Sequence, residues 1–277
     1  MRSLSNETLI SPSTKGKISF RELWLYRELF YFFAWRDIKV RYKQSVLGVS
    51  WAILQPLLLA VIFTLFFHNV ANISSGDASI PYPVFAYMGL TFWITFSGAL
   101  GTISNSLISN SGVLTKVYFP RLIPPLAAAA LSIIDFLFAF VVFLLFLAVF
   151  TVPPHLLGFL LVIPSLALII LTAVGVGIFF AAMNVKYRDV RSALPYITQL
   201  WFFVTPVIYP ITLIPEKFRD LAYLNPVTGA VSSVKAAMFG QPVEWHGLAI
   251  SWASAIVMFA IGVWYFKRTE KNFADII

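Results

Sequence analysis

The sequence predicts an all-α membrane protein with six transmembrane helices, an N-terminal amphipathic interface helix and outward re-entrant half-helices between spans five and six. Two observations support this fold class. First, 59% of the 277 residues are hydrophobic and only 12% are charged, whereas roughly a quarter of an ordinary soluble domain is charged. Second, six apolar runs are long enough to cross the roughly 30 Å hydrocarbon layer as helices. The six predicted spans are residues 49–67, 84–103, 126–150, 156–182, 193–212 and 247–266.

The distribution of Lys and Arg predicts how this bundle is oriented. Cationic loops stay on the cytoplasmic side of a membrane. With the N-terminus in the cytoplasm, 17 of the 20 Lys and Arg lie in cytoplasmic segments and 3 lie outside. We therefore expect a multi-pass protein with both termini in the cytoplasm. The net charge of +8 then reflects topology and attraction to anionic lipids, and no nucleic-acid partner is expected.

The segment before the first span has an unusual composition. Residues 1–19 form an N-terminal tail, and residues 20–48 form the predicted interface helix with a basic junction. FRELWLYRELFYFFAW, residues 20–35, is too charged to span a membrane and too apolar to stay in water. Such a segment lies at the headgroup level. It is either a plain membrane anchor or a lever that carries a push from a partner into the first span.

The six-span domain, residues 49–277, contains a polar cytoplasmic loop at 104–125. ISNSLISNSG, from residue 103, holds four Ser and two Asn, and three prolines follow before span three. Ser and Asn cap helices, and proline prevents a helix from running straight through. The pattern predicts a short helix bent off the bundle. It is either a simple connection or a surface on which a soluble partner presses.

The outer segment between spans five and six, residues 213–246, is longer than a connection requires. LAYLNPVTGAVSSVKAAMFG is too polar and too interrupted for a seventh span. Irregular backbone survives at membrane depth only where it lines a cavity or is buried in protein. We expect two short half-helices that dip back into the membrane. An amphipathic loop lying flat on the outer face is the alternative.

Several function classes have little support. Without Cys there is no disulfide or thiolate chemistry, and the three His, at positions 68, 155 and 246, lack metal-ligand spacing. The nearest approach to a Walker A loop, TKGKIS at 14–19, lacks its first glycine and its final Ser or Thr. The chain is therefore expected to have no catalytic residues, no metal site and no ATP site of its own.

Asp135 is the one acid deep inside a predicted span. An unpaired charge at that depth in the membrane costs several kcal/mol. No Lys, Arg or His lies at the same depth in any predicted span. We expect Asp135 to be protonated or hydrogen-bonded to Ser and Thr of a neighbouring helix. A single deep acid is a poor basis for a proton-coupled secondary transporter or for an intramembrane transferase.

Four blocks of the sequence resemble a known family. In chain order they are RDIKVRYKQSVLGVSWAILQPLLL, LTKVYFPRLIPPLA, MNVKYRDVRSALPYITQLWFFVTPVIYP and LNPVTGAVSSVKAAMFG. In this order and spacing, from about residue 20 to the C-terminus, they resemble the permease subunit of ATP-binding-cassette type-2 exporters for cell-surface polysaccharides. That family includes O-antigen, capsule and teichoic-acid exporters.

The resemblance implies a permease of the bacterial cytoplasmic (inner) membrane that is not itself an enzyme. A homodimer would dock two copies of a separate ATPase subunit, which bind ATP and Mg, and would move a lipid-linked polysaccharide through an aromatic-lined channel at the dimer interface. The resemblance also implies that the loop near 105–121 is a coupling element and that the segment near 213–240 forms re-entrant helices. A type-2 exporter of a small lipid or drug is the alternative, and a secondary transporter has less support.

Candidate site residues follow from these roles. Aromatic rings can contact the apolar faces of sugars without one fixed hydrogen-bond pattern. The candidates for the channel are Phe92, Trp93, Phe96, Trp201, Phe202, Phe203 and Tyr209. The candidates for coupling to the ATPase are Arg27, Arg36, Asn105, Ser111, Lys116 and Arg121.

Overall fold

A computed structural model of the chain describes residues 24–43, 50–114, 116–117, 119–187, 189–270 and 273. Every regular element in these residues is helical, which confirms the all-α prediction. The helices are α1 (Arg27–Lys43), α2 (Ser50–Phe63, continued by a π-helical segment Thr64–Val70), α3 (Tyr82–Ser109), α4 (Ser111–Leu114), α5 (Ile123–Val149), α6 (Leu156–Lys186), α7 (Asp189–Val204), α8 (Glu216–Tyr223), α9 (Pro226–Met238) and α10 (Trp245–Thr269). The tail at 1–19 and the junction at 44–48 lie outside the described residues.

Five of the six predicted spans are helices long and apolar enough to cross a membrane: α2 with its π-helical extension, α3, α5, α6 and α10. The remaining predicted span, residues 193–212, corresponds to α7, which has 16 residues. At 1.5 Å per residue α7 is about 24 Å long, which is shorter than the hydrocarbon layer. The chain leaves the helix at Thr205, where Pro206 and then Pro210 remove backbone donors.

Helices α3 and α6 form the centre of the bundle. Within the most apolar 18 residues of each helix, 78% are buried in α3 and 50% in α6. The corresponding share is 17% in α2 and 28% in each of α5 and α10. Helices α5 and α6 flank α3, and α6 also packs against α9 and α10. The outer helices therefore turn long apolar faces away from the protein, as helices in contact with lipid do.

Small residues bring α6 and α10 into close contact. A Cβ atom at Gly175 would lie 2.6 Å from the Cα atom of Phe259, and one at Gly262 would overlap the carbonyl oxygen of Gly175. Membrane helices associate through this kind of close backbone approach, since lipid provides no hydrophobic driving force between them. The two glycines therefore set the distance between α6 and α10.

Long-range contacts define two ends of the bundle. At the first, which we call the basic end, a guanidinium nitrogen of Arg121 donates to the carbonyl oxygen of Glu270 at 2.6 Å. At the other, which we call the opposite end, the backbone N–H of His155 donates to the carbonyl of Met238 at 3.1 Å. Both the α3–α5 connection and the end of α10 therefore lie at the basic end.

The segment after α7 contains two short helices at the opposite end, α8 and α9. Asn225 separates them, and its side chain accepts a hydrogen bond from the Val227 N–H, which caps α9. Helix α9 is almost wholly buried against α6 and α10. Two short helices therefore follow α7, and α9 is buried in protein rather than lying on the surface.

We expect Gly262→Ala to destabilise the protein by about 1–3 kcal/mol, because the added methyl group has to displace the backbone of α6. The measurement is thermal unfolding of the purified protein in detergent, followed by tryptophan fluorescence. Gly101→Ala is the matched control, since nothing lies within 4 Å of a Cβ atom at that position. Equal unfolding temperatures for the two variants would contradict the close packing of α6 and α10.

Candidate functional site

The aromatic candidates form a packed cluster between α3, α5 and α7. The ring of Phe92 stacks edge-on against Phe136 with centroids 5.0 Å apart, and Phe96 does the same against Trp201 at 5.0 Å. Phe92 and Phe96 have no exposed surface within the subunit. Their observed role is to pack α3 against its neighbours, and in this conformation they do not reach a space that a polymer could occupy.

Trp93 and Phe202 belong to the same cluster, with ring centroids 5.3 Å apart. Trp93 is 6% exposed, and Phe202 is partly buried between it and Phe63. Trp201 is held by polar contacts as well, because its indole N–H donates to the side-chain oxygen of Asn225 at 2.9 Å. The cluster therefore ties α7 to α3 and to the start of α9.

The remaining two aromatic candidates lie at the end of α7. The Tyr209 hydroxyl donates to the carbonyl of Phe203 at 3.1 Å, which holds the turn after α7 against the helix. Phe203 is 56% exposed. Of the seven candidates, Phe203 is therefore the one whose ring lies largely outside the packed subunit.

Helix α7 has an exposed face that combines polar and aromatic side chains. Ser192, Tyr196, Gln199 and Phe203 follow each other at intervals of four, three and four, so they share one face of the helix. All four are exposed in the subunit. An amide group facing hydrocarbon would lack hydrogen-bond partners at a cost of several kcal/mol. This face therefore suits water or a second protein surface better than lipid.

A polar groove of about 550 Å³ opens at the basic end between α1, α3 and α5. Its floor is a strip of small and polar α3 residues that includes Ser97, Gly101 and Asn105. The amide nitrogen of Asn105 donates to the carbonyl of Gly101 at 2.9 Å, while its amide oxygen is buried without a partner in the described residues. The groove therefore has spare acceptor capacity along α3.

The prediction for Asp135 is wrong. A guanidinium nitrogen of Arg41 lies 2.9 Å from one oxygen of the Asp135 carboxylate, and the Tyr42 hydroxyl donates a short hydrogen bond to the other. Burial, and then the hydrogen bond to Asp135, raise the pKa of the Tyr42 phenol well above its usual range, so the phenol stays a donor at neutral pH. Asp135 is thus a charged partner of α1.

The reason for the error is the position of α1. Phe33 of α1 packs against Phe119 and Ile123 at the start of α5. Tyr42, near the C-terminus of α1, contacts Phe138, about four turns further along α5. Helices α1 and α5 therefore run side by side in the same direction. Since α5 has 27 residues, more than the ~20 that span the hydrocarbon, its middle residue need not lie at mid-membrane.

The coupling candidates are spread along the basic end and do not form one cluster. Arg27 is exposed and Lys116 is exposed, while Arg36 pairs with the neighbouring Asp37 at 2.6 Å. Ser111 begins the four-residue helix α4 and is half-buried. Arg121 is directed inward and bonds to the end of α10. Lys116 and Arg27 are therefore the candidates available to another protein.

Two features of the candidate site were missed by the sequence analysis. The Arg41–Asp135 pair joins residues 94 positions apart, and no local pattern marks it. The exposed face of α7 is different, because the spacing of Ser192, Tyr196, Gln199 and Phe203 is visible in the sequence. A search for polar residues at helical intervals within the predicted spans would have found that face.

These features define a class of protein. Long apolar helices form the bundle, and charge is concentrated at one end. Helix α1 is docked to the bundle through an ion pair. These three features are typical of a multi-pass membrane protein. The chain belongs to the ABC-2 type transporter family, whose profile matches residues 28–239.

Curated relatives lie in the same family. The chain is 31% identical over 265 residues to the O-antigen export system permease protein RfbA of Myxococcus xanthus, covering 93% of this chain and 98% of the relative. It is 30% identical over 243 residues to the protein of that name from Klebsiella pneumoniae, covering 87% and 92%. The polysialic acid transport protein KpsM of Escherichia coli is 23% identical over 237 residues, covering 85% and 91%.

We expect Asp135→Asn and Arg41→Gln each to lower the stability of the protein, because each leaves one partly buried charge without its partner. The double variant should lose less than the sum of the single losses, with a coupling free energy of about 0.5–3 kcal/mol. The measurement is a double-mutant cycle by thermal or denaturant unfolding in detergent. The matched control is Arg36→Gln with Asp37→Asn, a pair of sequence neighbours that joins no second helix, where we expect coupling below about 1 kcal/mol. Purely additive losses at Arg41 and Asp135 would show that the pair does not hold α1.

Proposed function

We propose that the chain is the transmembrane permease subunit of an ATP-driven exporter that moves a lipid-linked polysaccharide, of the O-antigen or capsule type, across the bacterial cytoplasmic membrane. The similarity to two O-antigen export permeases over most of both chains carries this proposal. ATP and Mg are bound by a separate ATPase subunit, present in two copies, and the basic end of the bundle faces the cytoplasm. In this orientation α7 completes the sixth crossing, and both termini are cytoplasmic.

The exposed face of α7 supports a conduit formed by two copies of the chain. Gln199, Tyr196 and Phe203 are directed away from the packed subunit, where hydrocarbon is a poor environment for an amide. If α7 of each subunit faces the other across a shared space, these side chains line that space. Tyrosine and phenylalanine then offer flat apolar surfaces to passing sugar rings, and glutamine offers hydrogen bonds.

This arrangement reassigns the aromatic candidates within the conduit hypothesis. Phe203 remains a lining candidate, and Trp201, Phe202 and Tyr209 support α7 from behind. Phe92, Trp93 and Phe96 are packing residues of the closed subunit and could reach the conduit only if α7 moved away from α3. Helices α8 and α9 lie beyond the outer end of α7, where a lid that opens for the polymer would be placed.

Coupling to the ATPase is proposed to pass through α1 and α4. Helix α1 is joined to α5 by the Arg41–Asp135 ion pair and by the packing of Phe33 on Phe119 and Ile123. A push on the exposed part of α1 or on Lys116 would therefore reach α5 directly. The polar groove between α1, α3 and α5 lies at the same end and could change shape with this movement.

Deleting the gene in its own host tests the function. We expect loss of surface polysaccharide together with intracellular accumulation of lipid-linked polymer, because synthesis continues while export stops. The measurement is immunoblotting of surface polymer and mass analysis of lipid-linked glycans in membrane extracts. Purified permease should show no ATP hydrolysis until a separate ATPase subunit is co-expressed. Unchanged surface polymer, with a changed lipid or drug sensitivity, would favour a small-molecule exporter instead.

Lys116→Glu is expected to reduce export several-fold at unchanged permease abundance, because it reverses the charge of an exposed side chain on the proposed docking surface. Export rate and membrane abundance are measured in the same cells. Lys217→Glu is the matched control, since Lys217 is an exposed lysine at the opposite end. We expect this variant to export polymer normally. Arg121→Glu should lower abundance as well, because it removes the contact to Glu270. Normal export by Lys116→Glu would make the α4 loop a simple connection.

A further inference from the structure

A second pocket lies at the opposite end of the bundle from the polar groove. It has a volume of about 320 Å³ and is bordered by the loop before α3, the turn after α7, helix α9 and the segment that follows α9. Ligand pockets for small molecules are of similar or larger size. Its wall includes one lysine and two serines of α9, whose polar groups are unusual for so buried a position.

Lys235 is the buried basic residue of this pocket, and burial lowers its pKa well below the usual range. Its side chain is 4% exposed. The ammonium donates to the carbonyl of Val207 at 2.6 Å and lies 3.6 Å from the centre of the Phe85 ring. Both contacts favour a positive charge. Neither neutralises it, and within the described residues no carboxylate lies within 4.0 Å of the ammonium. A buried charge without a counter-ion is costly.

Two hydroxyl groups next to Lys235 also lack partners. Ser232 is 9% exposed and Ser233 is 2% exposed, and the Oγ atom of each is buried without a hydrogen-bond partner in the described residues. Ser232 precedes Lys235 by three positions, so the two share a face of α9. Leaving a buried hydroxyl without a hydrogen bond is unfavourable. Three adjacent polar groups therefore have unused donor capacity around one pocket.

The neighbouring helix is shaped to admit the lysine. A Cβ atom at Gly89 of α3 would lie 2.6 Å from the Lys235 ammonium and would overlap the carbonyl oxygen of Val207. Only glycine at this position lets the side chain reach its place between α3 and the turn after α7. The position of Lys235 thus depends on α3 as well as on α9.

One carboxylate does line the pocket, that of Glu244. Arg219 lies 3.6 Å from it and 3.9 Å from Glu216, so Arg219 is shared between two carboxylates. Lys235 has no carboxylate within 4.0 Å among the described residues, and an anion beside it would favour its charged form. We propose that this pocket binds a small oxyanion group, a phosphate or a carboxylate, which accepts hydrogen bonds from the Lys235 ammonium and the Ser232 and Ser233 hydroxyls. The group can belong to a sugar or to a lipid headgroup.

The test is a binding measurement on the purified full-length protein in a neutral detergent. The probes are glucose 1-phosphate, glucuronate and, as the uncharged control, glucose, with a saturable rise in unfolding temperature as the readout. A second arm compares bilayer discs of phosphatidylcholine with and without phosphatidylglycerol. We expect saturable stabilisation by the anionic probes and none by glucose. Stabilisation by soluble sugar anions assigns the site to sugars, and stabilisation by phosphatidylglycerol alone assigns it to a lipid headgroup.

Three variants locate the binding. Lys235→Met should weaken binding by about tenfold or more, since it removes a charge-assisted donor. The double variant Ser232→Ala, Ser233→Ala should weaken binding by a smaller factor. It replaces the lysine variant as the test of binding if Lys235→Met does not fold. Lys217→Met, an exposed lysine at the same end, should bind as the wild type does. Absence of saturable binding in both arms, or equal binding by the serine variants and the wild type, would overturn the proposal. The assay does not involve export, so its failure leaves the proposed transport function untouched.

Discussion

The constraint on which this structure depends is that polar groups inside a bilayer must find partners within the protein. Most of the chain meets it with uninterrupted helices. The turn after α7 cannot, because it leaves the helix at Thr205 while still buried. There the carbonyl of Val207 is bonded by Lys235 and that of Ile208 by the Tyr82 hydroxyl at 2.8 Å. Side chains from two other helices therefore make this turn possible.

The same constraint explains the contact between α1 and α5. Arg41 and Asp135 are each unfavourable near hydrocarbon when alone, and together with Tyr42 they satisfy one another. The contact has a mechanical consequence, because separating the two helices would leave both charges without a partner. A helix joined in this way to the middle of a long bundle helix is suited to transmit movement, which is the role proposed for it in export.

The two ends of the bundle differ in how they use polar groups. At the basic end, charges are exposed or paired near the surface, as Lys116 and the Arg36–Asp37 pair illustrate, and they suit contacts with another protein or with headgroups. At the opposite end, Lys235 is buried, and no carboxylate of the described residues lies within 4.0 Å of its side-chain nitrogen. A protein that docks a partner on one side and handles a ligand on the other would be expected to show this difference.

By itself the sequence determined the helical class, five of the transmembrane helices, the two short helices after α7 and the family, because each depends on local hydropathy, on proline and glycine, or on short blocks of sequence. It did not determine which side chains meet. Asp135 was expected to be protonated or hydrogen-bonded to Ser and Thr of a neighbouring helix, and it instead pairs with Arg41, 94 residues earlier on a helix whose direction no local pattern reveals. Phe92 and Phe96 are channel candidates by sequence and are buried within the subunit. The sequence does not separate the two roles, because a helix in the centre of a bundle and a helix beside a conduit can carry the same aromatic residues. Only the tertiary structure decides between them, since it depends on which helix lies against which face.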